Sequence, residues 1–315
     1  MEGFEVTTVE DMLGIAVEAH GSVDIISESI VVAGELMRVL VTGSSGITGS
    51  AIAERLSREH EVVGLDLVGG AFTQMIGDIT NAALVDSLVS KVDAVVHVAG
   101  LHAPHVQTHS REDFFRTNVL GTQLLLDAAR QFGVKRFVFT CTTSVYGDAM
   151  KSDRAAVWIT ESVEPHPRDV YDETKLAAEA LCREASEPDG LRCVVLRMSR
   201  CFPEPPELMA IYRLYRGVDR WDVAEAHHLA LCFDGADFAI YNVSSQTPFL
   251  PEDMIELLRD APTVVKRRCP FVTEEFARRG WPMPKSIDRI YVIERARAEL
   301  GYSPKFNYRE YLSQS

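Results

Sequence analysis

No apolar run in this chain approaches the ~18 residues that a membrane-crossing helix needs, which excludes a helical transmembrane protein. A basic excess is also missing. The 46 acids against 32 Lys and Arg leave a formal net charge of −14, whereas a nucleic-acid partner calls for a basic face. Residues 1–36 hold no Lys or Arg at all, only eight acids (Glu2, Glu5, Glu10, Asp11, Glu18, Asp24, Glu28 and Glu35). A secretory signal needs a basic leading region and an organellar transit peptide is Arg-rich and acid-poor, so this segment is neither. It reads as an acidic extension of open role: an edge element, a disordered leader, or sequence ahead of a translation start at Met37. The six cysteines (141, 182, 193, 201, 232 and 269) contain no C-x-x-C pair, and no histidine cluster has metal-ligand spacing, so no metal is expected. Without a secretory signal they read as buried thiols in a reducing cytoplasm. Repeats and low-complexity tracts are absent as well.

What is present is a globular composition, 46% hydrophobic and 25% charged, in a 315-residue chain long enough to bury a large core. Residues Val39–Val41, Glu61–Asp66, Phe72–Ile76, Val92–Gly100, Arg136–Cys141 and Arg192–Arg197 read as strands, the continuously apolar ones buried on both faces. Helical periodicity follows Gly49 and recurs over Asn81–Ser90, Arg111–Phe132 and Val170–Ala185. Strands alternating with helices at this rhythm give an α/β fold with a doubly wound parallel sheet. From Pro203 onward, prolines punctuate shorter elements, as in a small lobe that completes a pocket at the carboxyl ends of the strands. The boundary falls near residue 198. A helix over Asp222–Cys232 is expected to return to the main lobe, so the two lobes interleave.

The stretch Arg38–Gly49, RVLVTGSSGITG, runs from a buried strand through Gly43, Gly46 and Gly49 into a helix. Such a turn presents free N–H groups and a helix dipole to a pyrophosphate, and small residues let the phosphates approach. Its spacing is G-x-x-G-x-x-G, not the G-x-G-x-x-G of the usual fingerprint, so alone it is weak evidence, with a ligand-free glycine turn as the lesser alternative. Asp66 lies 23 positions after Gly43 at the end of the second strand, where a carboxylate accepts from ribose hydroxyls and repels a 2′-phosphate. That favours NAD over NADP. Tyr171 and Lys175 share one helix face, and a cation beside a phenol lowers its pKa toward that of a usable base. The alternative for that pair is an ordinary surface contact.

The hydroxyl-rich strand end CTTSVYG (141–147) completes a pattern that resembles the extended short-chain dehydrogenase/reductases, which include nucleotide-sugar epimerases and dehydratases. The matching pieces are TGSSGITG (42–49), LDL (65–67), GDIT (77–80), HVAG (97–100), NVLGT (118–122), YDETK (171–175), LRMSRCFPEP (196–205), DVAEAH (222–227) and ELGYSPKF (299–306), in the family's order. The resemblance implies a Rossmann-type NAD-binding domain over 37–198 and a small substrate lobe over 199–315, with 222–245 returning to the first. It implies that Gly43, Ser45, Gly46, Ile47 and Gly49 cradle the pyrophosphate and that Asp66 holds the adenosine ribose. Asp78 and Ile79 would face the adenine, Ala99 would line the nicotinamide ribose, and Asn118 would be a cofactor or a structural residue. Tyr171 would be the acid/base, Lys175 would hold the ribose and polarise Tyr171, and Thr142 would hydrogen-bond the reacting oxygen.

Departures from the family pattern bear on the reaction. Where the family's dehydratases carry Asp-Glu after the catalytic Thr, this chain has Thr143 and Ser144, so elimination of water is not expected. Only sixteen residues (206–221) separate LRMSRCFPEP from DVAEAH, and Phe202-Pro203-Glu204-Pro205 replaces a Y-G-P-G turn. In this shortness and in its C-x-P-E-P piece the chain is similar to the uronate dehydrogenase branch. The expectation is an NAD-dependent oxidoreductase acting on a small hydroxylated substrate, a sugar or sugar acid. His102, Ser199, Arg200 and Arg213 are the expected substrate contacts, with Arg213 and Arg216 equally readable as solvated. An epimerase is the alternative, and a non-catalytic NAD sensor is disfavoured by the intact Tyr and Lys. His105, His109, His227 and His228 read as surface or cap residues. Family habit adds a homodimer through helices 111–132 and 168–185, with no nucleic-acid or membrane partner.

Overall fold

The computed structural model describes residues 36–186, 188 and 190–314; the expectations for residues 1–35 lie outside these. The chain enters at β1 (Arg38–Thr42), turns into α1 (Ile47–Leu56), and continues through β2 (Glu61–Asp66), β3 (Met75–Ile76), α2 (Ala82–Val89) and β4 (Ala94–His97). Next come α3 (Arg111–Phe114), a π-helical turn (Phe115–Leu120), α4 (Gly121–Gln131), β5 (Arg136–Thr142), β6 (Val157–Ile159), α5 (Val170–Ala185) and β7 (Arg192–Met198). The remainder is α6 (Pro206–Tyr212), α7 (Arg220–Leu231), β8 (Phe238–Val243), α8 (Met254–Arg259), α9 (Ala261–Arg268), α10 (Pro270–Arg279), β9 (Arg289–Tyr291), α11 (Glu294–Leu300) and α12 (Tyr308–Gln314).

Seven strands form one parallel sheet in the order β3-β2-β1-β4-β5-β7-β8. The connections run outward in both directions from β1 and β4, so a crevice opens at their carboxyl ends, the usual ligand site of such sheets. One face is covered by α1, α7 and α11, where Ala51, Ala53, Ala224 and Ala226 let helices and strands approach closely. The other face is covered by α2, α4 and α5 through Val85, Leu125, Leu126, Ala178 and Cys182. Strand interiors such as Val39–Val41 and Val194–Leu196 are buried on both sides, which is why they read as unbroken apolar runs.

A separate apolar cluster joins α6, α8, α9, α10 and α12 through Leu214, Phe249, Leu257, Val264, Val265 and Phe276. Beside it lies a two-stranded parallel sheet, β6 with β9, that the sequence pattern does not announce. Helix α7 packs with α1 on the main sheet, and β8 is the sheet's edge strand.

Three local expectations need adjustment. The strand expected over Phe72–Ile76 shrinks to Met75–Ile76, because Thr73 bonds the glycine turn through Ser44 (2.6 Å) and Ser45 (2.7 Å) instead of extending the ladder. The strand over Val92–Gly100 is only Ala94–His97, since the Val98 and Ala99 N–H groups turn toward Thr42 Oγ1. The long helix over 111–132 is interrupted by its π-helical turn, a feature often found at functional sites.

Candidate active site

A cleft of about 890 Å³ runs along the carboxyl ends of β1, β2, β4, β5 and β7. At one end the glycine turn divides its work between backbone and ligand. Gly43 has φ +73°, and a Cβ there would stand 2.7 Å from the Ala99 nitrogen; a Cβ on Gly49 would stand 1.9 Å from the Gly43 oxygen. Those two glycines are required by the fold. Gly46 differs, for an added Cβ would meet only the Gly43 oxygen at 3.4 Å, yet the residue lines the cleft. A glycine without internal crowding at a helix N-terminus leaves space for a phosphate, so the residues present fit a dinucleotide.

Asp66, at the end of β2, accepts from the Ser45 N–H (2.9 Å) and the Val68 N–H (3.2 Å), which fixes its carboxylate at the rim of the cleft. Asp78, Ile79, Ile47, Gly49 and Ala99 line the same region, as expected from the sequence. Ser45 does not line it. Its hydroxyl bonds the Val68 carbonyl (2.8 Å) and Thr73 (2.7 Å), and it is its backbone N–H that meets Asp66. Thr48, which the sequence reading passed over, takes a place in the lining. Asn118 is buried in the π-helical turn and belongs to the scaffold: it accepts from the Leu101 N–H (2.8 Å) and donates to the Leu101 carbonyl (2.9 Å) and Thr174 Oγ1 (3.0 Å).

Thr142, Tyr171 and Lys175 meet in the middle of the cleft. Thr142 ends β5 and its hydroxyl accepts from the Ser144 N–H (3.1 Å). Asp169 caps α5, fixing the helix that presents Tyr171 and Lys175 one turn apart. Burial holds the Tyr171 phenol well above its ordinary pKa, with the Thr142 hydrogen bond working the other way. Lys175 is pushed down to about 8 by burial. Its Nζ donates to the Thr140 carbonyl (2.6 Å) and sits 4.0 Å from the Phe139 ring centre. An ammonium carries three donors, so Lys175 keeps further protons for other partners. Desolvation, and not the Lys175 ammonium that the sequence suggested, sets the direction of the phenol's shift.

The far end of the cleft differs from the sequence expectation. Ser199 and His102 line it; Ser199 Oγ donates to Ser244 Oγ (3.0 Å) and His102 stacks on Phe202. Arg200 also lines it but is bound to Glu204. Arg213 does not reach the cleft. It is 3% exposed and spent on the Phe306 carbonyl (2.9 Å) and Asp219 (2.7 Å), a clamp inside the fold. The chain leaves α6 at Tyr212 in a tight turn, where the Gly217 N–H donates to the Tyr212 carbonyl (2.7 Å), and this sends Arg216 into the cleft instead. Arg216 lies over the Tyr212 ring (4.8 Å) and has no carboxylate partner among the described residues.

Arg168 and Arg289 line the cleft too, as do His105 and His109, which are still the cap and surface residues the sequence suggested: His105 Nδ1 accepts from the His102 N–H (3.0 Å) and His109 is exposed. His227, by contrast, is no surface residue: it is fully buried, donating through Nδ1 to the Val223 carbonyl and facing Thr140 Oγ1 (2.7 Å). His228 is buried as well. The acids lining the cleft are Asp66, Asp78 and Asp113, none of them on the strand end that carries Thr142. Thr143 is buried, and Ser144 Oγ accepts from Arg168 (3.1 Å).

Residues 39–207, more than half of the chain, match the model of the NAD dependent epimerase/dehydratase family. A dTDP-glucose 4,6-dehydratase of Streptomyces antibioticus is 31% identical over 87% of this chain and 90% of its own. A short-chain dehydrogenase/reductase superfamily protein from Agrobacterium tumefaciens, solved with bound NAD, shares the fold with a TM-score of 0.67 at 22% identity, over 88% of this chain and 95% of the other. A mutated uronate dehydrogenase does so with a TM-score of 0.62 at 22% identity, over 89% and 87%. No helix among the described residues is long and apolar enough to cross a membrane. With the sheet order, the glycine turn and the Tyr171–Lys175 pair already in place, these matches make the chain an NAD-dependent enzyme, an extended short-chain dehydrogenase/reductase that belongs to the NAD dependent epimerase/dehydratase family.

Proposed function

We propose that the enzyme is a dehydrogenase that oxidises a small hydroxylated acid, a sugar acid or similar, with NAD as hydride acceptor. The observation that carries this is Arg216, which lines the cleft without a carboxylate partner among the described residues, whereas Arg168 and Arg289, which line it too, are paired with Asp172 and Asp288. An Arg fork suits a carboxylate, which it can hold in bidentate fashion. Gly46 and the α1 N-terminus would hold the pyrophosphate, Asp66 the adenosine ribose, and Lys175 the nicotinamide ribose. NAD, when bound, supplies the acceptor for a hydride from the carbinol carbon. Tyr171 would act as its phenolate, favoured once positive charge from Lys175 and the cofactor's nicotinamide stands beside it, to take the hydroxyl proton, and Thr142 would hydrogen-bond the oxygen as the carbonyl forms.

The missing acids beside Thr142 argue against elimination of water, although the dehydratase relative performs it by name. Space also favours a small substrate: about 890 Å³ lies at the upper end of the roughly 300–1,000 Å³ of ligand sites, and the dinucleotide shares it. We assign residues 199–315, apart from 222–245, to the substrate side of the molecule. A homodimer through α3–α4 and α5 fits the exposure of Phe115 and Leu120 on the first of these. The free cysteines suit a reducing, cytoplasmic setting.

The second reading, an epimerase, uses the same Tyr171 and Lys175. A panel of uronates, neutral sugars, small hydroxy acids and nucleotide sugars assayed with NAD separates them. Net NADH formation with an acid substrate is expected; a sugar epimerised with no net NADH would replace the proposal with the second reading.

A further inference from the structure

We propose that His60, His228 and Cys232 form a binding site for a borderline-soft divalent metal ion, zinc(II) foremost, that pins the turn between α1 and β2 to the C-terminal end of α7. The three donor atoms lie within 4.8 Å of one another, and none of these residues lines the cleft. His228 and Cys232 are four positions apart at the end of α7 and so share a face. His60 closes the turn just before β2, and α1 and α7 pack side by side.

Two features indicate a ligand rather than a packed pair of rings. His60 and His228 are 7% and 9% exposed, yet His60 Nε2 and His228 Nδ1 are buried without any hydrogen-bond partner. Leaving buried polar atoms unpaired costs stability, so such atoms call for an explanation such as an ion. The rings stand 5.9 Å apart and tilted by 36°, not stacked. Glu59 Oε2 lies 3.7 Å from His228 Nε2 and favours the tautomer with its proton there, which leaves the Nδ1 lone pair facing inward. The Met37 N–H approaches His60 Nδ1 at 3.4 Å, a long contact that the metal-bound form gives up.

Burial also lowers both imidazoles below their ordinary pKa, keeping them neutral as ligands must be. Cys232 is exposed, with its thiol raised by partial burial; on binding, the thiol proton is released and the thiolate takes the metal. Two imidazoles and a thiolate suit zinc, with water in the fourth position. Donor atoms of a tetrahedral zinc site stand roughly 3.3–3.8 Å apart. The observed spread therefore needs to close by about 1 Å, which rotation of the exposed Cys232 side chain can supply.

The test uses the full-length enzyme, reduced and dialysed against a chelator, then titrated with cobalt(II) and competed with zinc(II). One cobalt per chain is expected, with a thiolate-to-cobalt charge-transfer band that zinc abolishes, and a melting temperature that zinc raises. C232S keeps its fold because the residue is exposed; it should lose the charge-transfer band and bind at least tenfold more weakly. H228A should weaken binding similarly, while NAD binding stays unchanged in C232S. Absence of saturable binding, or one-to-one binding that neither substitution alters, overturns the proposal.

Discussion

The two ends of the cleft were built under different constraints. At the cofactor end every important position lies within a few residues of a strand terminus: Gly43 and Gly46 after β1, Asp66 at the end of β2, Ala99 after β4. The parallel sheet alone brings these termini together, so any chain with the pattern places them alike. At the substrate end the lining comes from turns after α6, from the loop behind β4 and from β9. No regular lattice aligns those pieces, and one tight turn decides whether Arg213 or Arg216 faces the cleft. A cofactor end set by strand ends and a substrate end set by loops let one scaffold keep its redox chemistry while its substrate changes.

Perturbation should separate the ends. The largest effect is expected where they meet: Tyr171→Phe should lower turnover by about 100- to 10,000-fold, the usual worth of a general acid–base group, while leaving NAD affinity intact. Unchanged turnover on every accepted substrate would remove Tyr171 from the mechanism. Arg216→Gln acts on the substrate end alone. Loss of a charged hydrogen bond is worth about 1.5–3 kcal/mol, so KM for an acid substrate should rise by about one to two decades with the KM for NAD constant. If neutral and acidic substrates suffer equally, Arg216 is not the carboxylate's partner.

Within the cofactor end, two glycines can be set against each other. Gly49→Ala drives a Cβ into the Gly43 carbonyl and should cost about 1–3 kcal/mol of stability by denaturant titration. Gly46→Ala should leave stability within about 0.5 kcal/mol but weaken NAD binding about tenfold, since its Cβ enters only the ligand's space. Equal losses of stability would make both glycines structural.

A last effect, one of pH and not of substitution, lies beneath both ends. His97, between the Thr42 and Thr122 hydroxyls, is lowered by burial to about 3, and His227 to about 4. Their folded pKa values lie below the unfolded value, so their contribution is full above about pH 6.5 and is lost as pH falls toward 4 and 3. Denaturation midpoints should fall across that window, and less steeply in H227Q.

Legibility followed chain distance. The helix over Val170–Ala185 matched to the residue because its cap, Asp169, and its apolar face are local features. Ser45 and Asn118 sit in the family's motifs, yet their side chains bond neighbouring parts of the fold, since motif position cannot show which way a side chain turns. The two-stranded sheet β6–β9 joins segments more than a hundred residues apart, beyond the reach of periodicity. One signal was available and passed over, the four-residue spacing of His228 and Cys232 on an expected helix.

The sequence by itself determined the α/β class, the glycine turn between β1 and α1, NAD as the cofactor and the one-turn spacing of Tyr171 and Lys175. Each depends on hydrophobic period, glycine placement or helical spacing, which are properties of neighbours along the chain. Only the tertiary structure decided that Arg216 and not Arg213 faces the cleft, and that His60 meets His228 and Cys232 from the far side of α1. Those meetings join residues that are remote in sequence and are fixed by how α1 packs on α7 and by where α6 ends.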